Sequence, residues 1–421
     1  MHDFHFRGKS LYCEDLPVAS LAKRFGTPLF IYSAKTIIDH YSKIKAAFRK
    51  LGPLICYSAK VNSNLSVTKL LVARGAGLDI VSGGELYRAR RLNCSAKKIV
   101  YASVGKTDRE IKEAISYGIL MFTVESKAEL SRINILAKSL RKKVDVALRF
   151  NPGVRTKTHS YVATGAGESK FGMDADTVRE IFFNRRIYPY LNIAGIHIHI
   201  GSQITESYPY LAAIKKVKKL VEELRQKNIR LKFFDIGGGL GIVYDREKPQ
   251  TAKAFARKVL PLLKAISLKV ILEPGRFIAG NAGILVTKVL YLKETPKKRF
   301  IIVDAGMNDF IRPSLYGAYH RIAAVERSKE VKRQRGKEAK KLADVVGPIC
   351  ESGDFLGKER KLEVREGDFL AVMGAGAYGF TMSSNYNSRP RAAEVLVKNS
   401  KAYLVRRREN YSDLIRGERI I

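Results

Sequence analysis

Between about residue 36 and residue 275 the chain alternates short β-branched or apolar runs with amphipathic stretches, the rhythm of repeated strand–helix units. Eight strand-like runs stand out: Leu54–Lys60, Leu78–Ser82, Lys98–Ser103, Ile119–Glu125, Val144–Asn151, Ala194–Gly201, Leu231–Gly237 and Lys269–Glu273. The stretches between them carry helix signals, as where Thr107, with Glu110 three residues on, offers a capping box ahead of Ile111, Ala114 and Ile115. Eight is the number of strands that closes a parallel barrel, so the pattern predicts an α/β fold with a (β/α)8 TIM barrel over residues 36–278. Periodicity does not see closure, and an open doubly wound sheet is the competing arrangement.

After Arg276 the pattern changes to strands without intervening helices: Gly283–Leu292, Phe300–Asp304, Leu342–Val346, Leu362–Val364, Asp368–Val372 and Ala393–Val397. This predicts a C-terminal all-β domain over residues 279–421. The N-terminal segment 1–35 is irregular apart from the apolar Pro28–Tyr32, which reads as an edge piece packed on that domain. Within the β-domain, residues 326–341 hold eight basic and three acidic residues, the composition of a solvated insertion.

Composition narrows the class. The chain has 421 residues, room for one large core and a smaller second one, and its 46% hydrophobic and 28% charged content is ordinary for a folded protein. No apolar run approaches the roughly 20 residues of a membrane span, and the N-terminus lacks a basic-then-apolar signal pattern. A cytoplasmic protein with no membrane partner is expected. Cys13, Cys56, Cys94 and Cys350 form no CxxC pair, which argues against a zinc site and a disulfide framework.

The one anomaly is charge: 77 Lys and Arg against 40 Asp and Glu give +37. Such a field attracts polyanions. The basic residues are nevertheless spread along the whole chain, with no aromatic-interleaved motif, so weak polyanion binding is expected and a dedicated nucleic-acid partner is not.

In a barrel the C-terminal ends of all strands face one mouth, where such enzymes place their chemistry. The polar residues at those ends are Lys60, Asp79, Arg149 with Asn151, His199 with Ser202, Gly237-Gly238-Gly239, and Glu273 with Arg276. Lys60 precedes an Asn/Ser-rich turn that can cap the next helix. A lysine in a partly dry pocket loses solvation for its ammonium, and the neutral amine can then form a Schiff base. The glycines either let backbone N–H groups approach a phosphate or form a tight turn.

His197 and His199 alternate along a strand and so share a face, but no third ligand stands at a usual spacing and no metal is predicted. His199, nearer the strand end, suits stacking on a flat ring. A carboxylate at Glu273 would favour a protonated pyridine, turning the ring into an electron sink, and Arg276 offers a fork for a carboxylate. Gly374-Ala375-Gly376-Ala377-Tyr378-Gly379 matches GxGxxG, yet it lies in the β region with no clear helix after it and is not read as a dinucleotide site. A Schiff-base lysine, a phosphate cradle, a stacking histidine and an acid for a ring nitrogen together specify pyridoxal 5′-phosphate.

At this point the chain resembles the diaminopimelate decarboxylase family, barrel-plus-β-domain pyridoxal-phosphate enzymes related to alanine racemase and to ornithine and arginine decarboxylases. The matching stretches are Tyr57–Asn62, Val81–Leu86, Ser169–Gly172, His197–Gln203, Gly237–Gly241, Glu273–Arg276, Arg312–Tyr316, Cys350–Asp354 and Gly376–Gly379, in order over nearly the whole length.

The resemblance implies that Lys60 binds the cofactor covalently, His199 stacks on its ring and Glu273 meets its nitrogen. Ser202, Gly237, Gly238, Gly239 and Tyr378 would surround the phosphate, with Gly275 and Arg276 beside them and Asp79 supporting the lysine. Arg276, Arg312, Tyr316, Glu351 and Tyr378 would hold substrate, and Cys350 resembles the family's proton-donating thiol. The resemblance further implies a homodimer sharing its active sites and conversion of meso-2,6-diaminopimelate to L-lysine and carbon dioxide, the last step of lysine biosynthesis. The alternative is a decarboxylase of ornithine, arginine, lysine or carboxynorspermidine on the same fold; Arg312 and Arg276 favour a distal carboxylate over a distal cation.

Overall fold

A computed structural model of the chain describes residues 2–154, 170–327 and 342–421; Ser169 and most of the basic insertion lie outside the described residues. The chain divides into two compact units, one of His40–Ile242 with Lys248–Phe277, the other of Met1–Asp39, Val243–Glu247 and Ile278–Ile421.

The first unit is a closed barrel of eight parallel strands: Leu54–Ser58, Gly77–Ile80, Ile99–Tyr101, Met121–Val124, Val144–Arg149, Leu191–His197, Phe233–Asp235 and Lys269–Leu272. Closure comes from the last strand pairing with the first, Ile271 with Leu54 and Leu272 with Ile55, which rules out the open sheet. All eight expected strands are present; each ends earlier than expected, and the sixth is shifted, starting at Leu191 instead of Ala194 and stopping at His197. Cys56, Val100, Met121, Ala147 and Ile271 pack into a cluster with Leu54, Leu120 and Phe233, drawn from strands around the ring.

Local signals set the connections. Thr107 accepts from the Glu110 N–H while the Glu110 carboxylate accepts from the Thr107 N–H at 2.9 Å, and the helix Asp108–Tyr117 buries Ile111, Ala114 and Ile115. Asn64 caps the helix Leu65–Val72 by accepting from the Ser66 N–H at 2.9 Å. Such a cap contributes about 1 kcal/mol.

The second unit is built on a sheet in which Leu29–Ser33 runs antiparallel to Gly283–Glu294 and parallel to Ala393–Lys398. Leu29–Ser33 is therefore a central strand, buried at all five positions, and not an edge piece. Leu362–Val364 does not form a strand: only Val364 is buried there, and the segment runs into a turn at Gly367, φ +88°. Phe355–Arg360, Ile322–Ala324 and Lys401–Arg406 are additional strands, and Phe4–Arg7, Ser10–Cys13 and Leu16–Pro17 form a separate small sheet. Lys401–Arg406 is buried at no position, and its sequence lacks the apolar alternation that marks a strand. Among the described residues no helix is long and apolar enough to cross a membrane.

Candidate active site

The first barrel strand stops at Ser58, and Lys60 sits in the single 3-10 turn Ala59–Val61 that follows. Its ammonium lies 2.9 Å from Asp79 Oδ2. Asp79 is wholly buried on the neighbouring strand, paired in register with Ser58, whose hydroxyl reaches the same oxygen at 2.7 Å. Burial and the Glu273 charge push the Asp79 carboxyl up, against Lys60 and Ser58.

Glu273, just past the eighth strand, is also buried, with Oε2 3.3 Å from His197 Nε2. Burial alone would raise its carboxyl; His197, then the Lys60 charge, outweigh that and hold it down at about 2. Its other oxygen, Oε1, takes no hydrogen bond from the described residues. His199 lies beyond the strand that ends at His197, and its Nδ1 accepts from the Gly238 N–H at 3.3 Å. Burial, with the Arg149 and Lys60 charges, moves its pKa well below the usual histidine value, so the ring is neutral.

Lys60, His197, His199 and Glu273 line one cavity with Val81, Ala102, Ser103, Val104, Lys170 and Phe171, enclosing about 800 Å³ of open space. Arg149 and Glu125 form a buried ion pair at 2.9 Å in its wall.

The loop Gly237–Gly239 is packed against the barrel. Gly237 has φ +68°, and a Cβ on Gly238 would come within 2.1 Å of the Glu273 carbonyl oxygen. Gly275 has no room for a Cβ either, which would meet Val61 Cγ2 at 2.4 Å. Ser202 Oγ accepts from both Nε and Nη2 of Arg276, at 3.3 and 3.0 Å. Thus Lys60, Asp79, His199, Ser202, Gly237, Gly238, Gly239, Glu273, Gly275 and Arg276 all belong to the barrel unit.

The remaining expected residues belong to the other unit. Arg312 is buried, donates to His320 Nε2 at 3.3 Å and sits 5.4, 5.7 and 5.9 Å from the ring centres of Tyr244, Tyr316 and Tyr378. His320 Nδ1 is 2.9 Å from the Met373 carbonyl, so the donor at Nδ1 leaves Nε2 as the acceptor that faces Arg312. Cys350 is exposed; its N–H donates to Asn387 Oδ1 at 2.9 Å, and Glu351 accepts from the Tyr386 hydroxyl at 3.0 Å. Asp354 fastens this turn by accepting from the Met307 and Ile349 N–H groups at 2.6 and 2.7 Å.

Sequence reasoning does not single out Ser58, Glu125, His320, Asp354 or the partnership of His197 and Asp235 with Glu273. Asp235 carries the same positional signal as Glu273, an acid at a barrel strand's C-terminal end. His320 has no such signal, because its role depends on a contact with Arg312 eight residues earlier in an irregular stretch.

The chain matches the family model for the pyridoxal-binding domain of pyridoxal-dependent decarboxylases over residues 34–280. It therefore belongs to the pyridoxal-phosphate decarboxylases built on this barrel. Over 97% of its length it is 50% identical to a diaminopimelate decarboxylase of Aquifex aeolicus, covering 96% of that protein, and it is 45% identical to that of Haemophilus influenzae, covering 98% of each. The crystal structure of the Helicobacter pylori diaminopimelate decarboxylase complexed with L-lysine superposes with TM-score 0.89 at 40% identity, covering 95% of this chain and 98% of that one. That of the M. jannaschii enzyme with L-lysine gives 0.92 at 36%, covering 100% and 98%. The chain belongs to the diaminopimelate decarboxylase family.

Its cofactor is pyridoxal 5′-phosphate. The residues present fit that group: Lys60 supplies an amine to the cavity, neutral His199 a flat ring, and Glu273 an ionised carboxylate whose Oε1 is an unfilled acceptor.

Proposed function

We propose that this chain removes carbon dioxide from meso-2,6-diaminopimelate to give L-lysine, with Lys60, His199, Glu273 and Cys350 as its catalytic residues. The observation that carries the reading is Glu273, ionised in a dry site with one oxygen left for a ring nitrogen, lining the same cavity as Lys60. Bound pyridoxal phosphate supplies a protonated pyridine ring that takes up the electrons released when the bond to the departing carboxylate breaks.

Lys60 holds the cofactor through its amine, and Asp79 receives the lysine's ammonium whenever the amine is released. Glu273 keeps the ring nitrogen's proton in place, because a buried anion stabilises a cation beside it far more than water does. His199, being neutral, adds no competing positive charge next to that ring. Ser202, Gly237, Gly238, Gly239, Gly275, Arg276 and Tyr378 are assigned to the cofactor's phosphate and its surroundings.

Arg312 is suited to the substrate's distal carboxylate: its guanidinium is buried beside three tyrosine rings and donates to a histidine nitrogen, and its planar fork matches a carboxylate. Arg276, Tyr316 and Tyr378 complete that assignment, and Glu351 takes the distal ammonium. The Cys350 thiol returns a proton to the carbon that has lost its carboxylate. Cys350 and Glu351 are both exposed in the single chain, which supports a homodimer in which a second copy completes each site.

The test is to supply the protein and pyridoxal phosphate with meso-diaminopimelate, ornithine, arginine and lysine in parallel and measure carbon dioxide. Release should come from diaminopimelate far ahead of the others. Equal or greater release from a substrate with no distal carboxylate would overturn the assignment, because a site built for that charge is left unpaired by an analogue lacking it.

A further inference from the structure

Three carboxyls face one another inside the barrel: Asp79, Asp235 and Glu273, all buried. Their partners differ. Asp79 receives the Ser58 hydroxyl and the Lys60 ammonium, and Glu273 has His197. Asp235, next to His197 in register on the adjacent strand, accepts one backbone N–H at Oδ1, from Gly237 at 2.9 Å. Its Oδ2 has no hydrogen-bond donor among the described residues, and neither has Glu273 Oε1. A side-chain ligand atom from each of His197, Asp235 and Glu273 falls within 4.8 Å of the others.

Two carboxylates at such range in a dry interior, with the Asp79 charge also acting on Asp235, cannot both stay ionised. A proton must enter the set, and it comes to rest on the carboxyl with the fewest stabilising contacts. We propose that Asp235 carries a proton in the folded enzyme and donates it to Glu273, so that His197, Glu273 and Asp235 act as one hydrogen-bonded unit. Asp235 is then a positioning residue: its proton bonds the Glu273 carboxylate and keeps that carboxylate ionised without adding a second charge.

The groups around Asp235 agree with this. Glu273 beyond the eighth strand is an anion and Asp79 on the second is an acid, and both disfavour a second charge at Asp235; the buried Cys56 thiol on the first strand stays neutral. Burial, then Glu273, push the Asp235 carboxyl well above the usual range, while the Gly237 N–H opposes them. The location of the proton is independent of the ligand, whereas its use in positioning rests on the reading that Glu273 faces the cofactor ring.

The experiment uses the full-length protein with and without pyridoxal phosphate, its aspartates labelled with carbon-13 in the side-chain carboxyl. Because the Asp309 carboxyl is also pushed up, to about 7, the spectra are recorded in an Asp309→Asn background, where at neutral pH they should show a protonated carboxylic-acid infrared band that disappears on adding Asp235→Asn. No such band, or a band that persists in Asp235→Asn, would overturn the proposal, the second result placing the proton elsewhere. Glu273→Gln in the labelled protein provides a second route: with the neighbouring charge gone, the Asp235 band should vanish at lower pH than in the parent, and an unchanged titration would overturn it.

Cofactor titration reads the positioning role. Asp235→Asn, which keeps a neutral donor, should bind pyridoxal phosphate within about threefold of the parent. Asp235→Ala should bind it about tenfold or more weakly, and equal binding by the alanine variant would refute positioning. Stoichiometric uptake of a divalent cation that Asp235→Asn abolishes would also refute the proposal, by showing the three residues to be ligands. A parent-like cofactor spectrum in Glu273→Gln, with the Asp235 band intact, would instead refute the role given to Glu273.

Discussion

Adding one methyl group at Gly238 should damage both the barrel and the cofactor site. The Cβ of Gly238→Ala would stand 2.1 Å from the Glu273 carbonyl oxygen and 3.2 Å from its carbon. Backbone must therefore separate by about 1 Å, because a side-chain carbon and a carbonyl oxygen do not approach much below about 3 Å. The Gly237 carbonyl accepts from the Glu273 N–H at 2.9 Å, so the same separation strains a ladder bond.

Overpacking of this kind costs about 1–3 kcal/mol and the loosened hydrogen bond about 1 kcal/mol; the stiffer unfolded chain returns a little under 1 kcal/mol. A net loss of about 2–3 kcal/mol corresponds to a fall in Tm of about 5–10 °C for a unit of this size. Displacing Glu273 should also weaken cofactor binding about tenfold or more. Circular dichroism melts and pyridoxal-phosphate titrations measure the two effects. Gly105→Ala, whose Cβ would have nothing within 4 Å, is the control and should change neither. A Gly238→Ala protein that melts and binds like the parent would refute the packing argument and with it the placement of Glu273.

Three further outcomes are expected. Burial raises the Asp309 carboxyl to about 7, so its contribution is full below the unfolded value near about 3.9 and is lost as pH rises through 7; Asp309→Asn should melt above the parent at pH 8, with the gap closing toward pH 4, and a constant gap would contradict that sign. Arg312→Lys loses the planar fork while keeping the charge, and should raise KM for diaminopimelate about 10–100-fold, read from initial rates; an unchanged KM would remove Arg312 from the substrate site. If the active site is shared, mixing inactive Lys60→Ala and Cys350→Ala chains should restore about a quarter of parental activity through half-competent dimers, whereas no recovery in verified mixed dimers would place both residues in one subunit's site.

Much of the barrel is legible in the sequence because burial on both faces makes parallel strands read as nearly continuous apolar runs. Lys269–Leu272 and Leu54–Ser58 are visible in this way, although their pairing, which closes the ring, leaves no local mark. The second unit is less legible. Leu29–Ser33 has the apolar run of a central strand, but its neighbours Gly283–Glu294 and Ala393–Lys398 lie hundreds of residues away, so position along the chain suggests an edge. Lys401–Arg406 carries an apolar run, Ala402–Val405, that is exposed or only half-buried, so no alternation of buried and exposed positions marks it as a strand.

The site divides along similar lines. Lys60, Asp79 and Glu273 follow from the rule that barrel chemistry sits at strand ends. The same rule reaches Asp235, but its meaning depends on distances to Glu273 and His197 that no spacing encodes. Ser58, two residues before Lys60, earns its place through register with Asp79. The contact between Arg312 and His320 depends on the path of an irregular segment.

The central claim is that Lys60 anchors the cofactor. Reducing the pyridoxal-phosphate-loaded protein with borohydride, digesting it and mapping the modified peptide by mass spectrometry tests this directly. A stable pyridoxyl adduct is expected on Lys60, absent from Lys60→Ala along with the visible absorbance of the lysine-bound cofactor. An adduct on another lysine of the parent protein, or none, would contradict it.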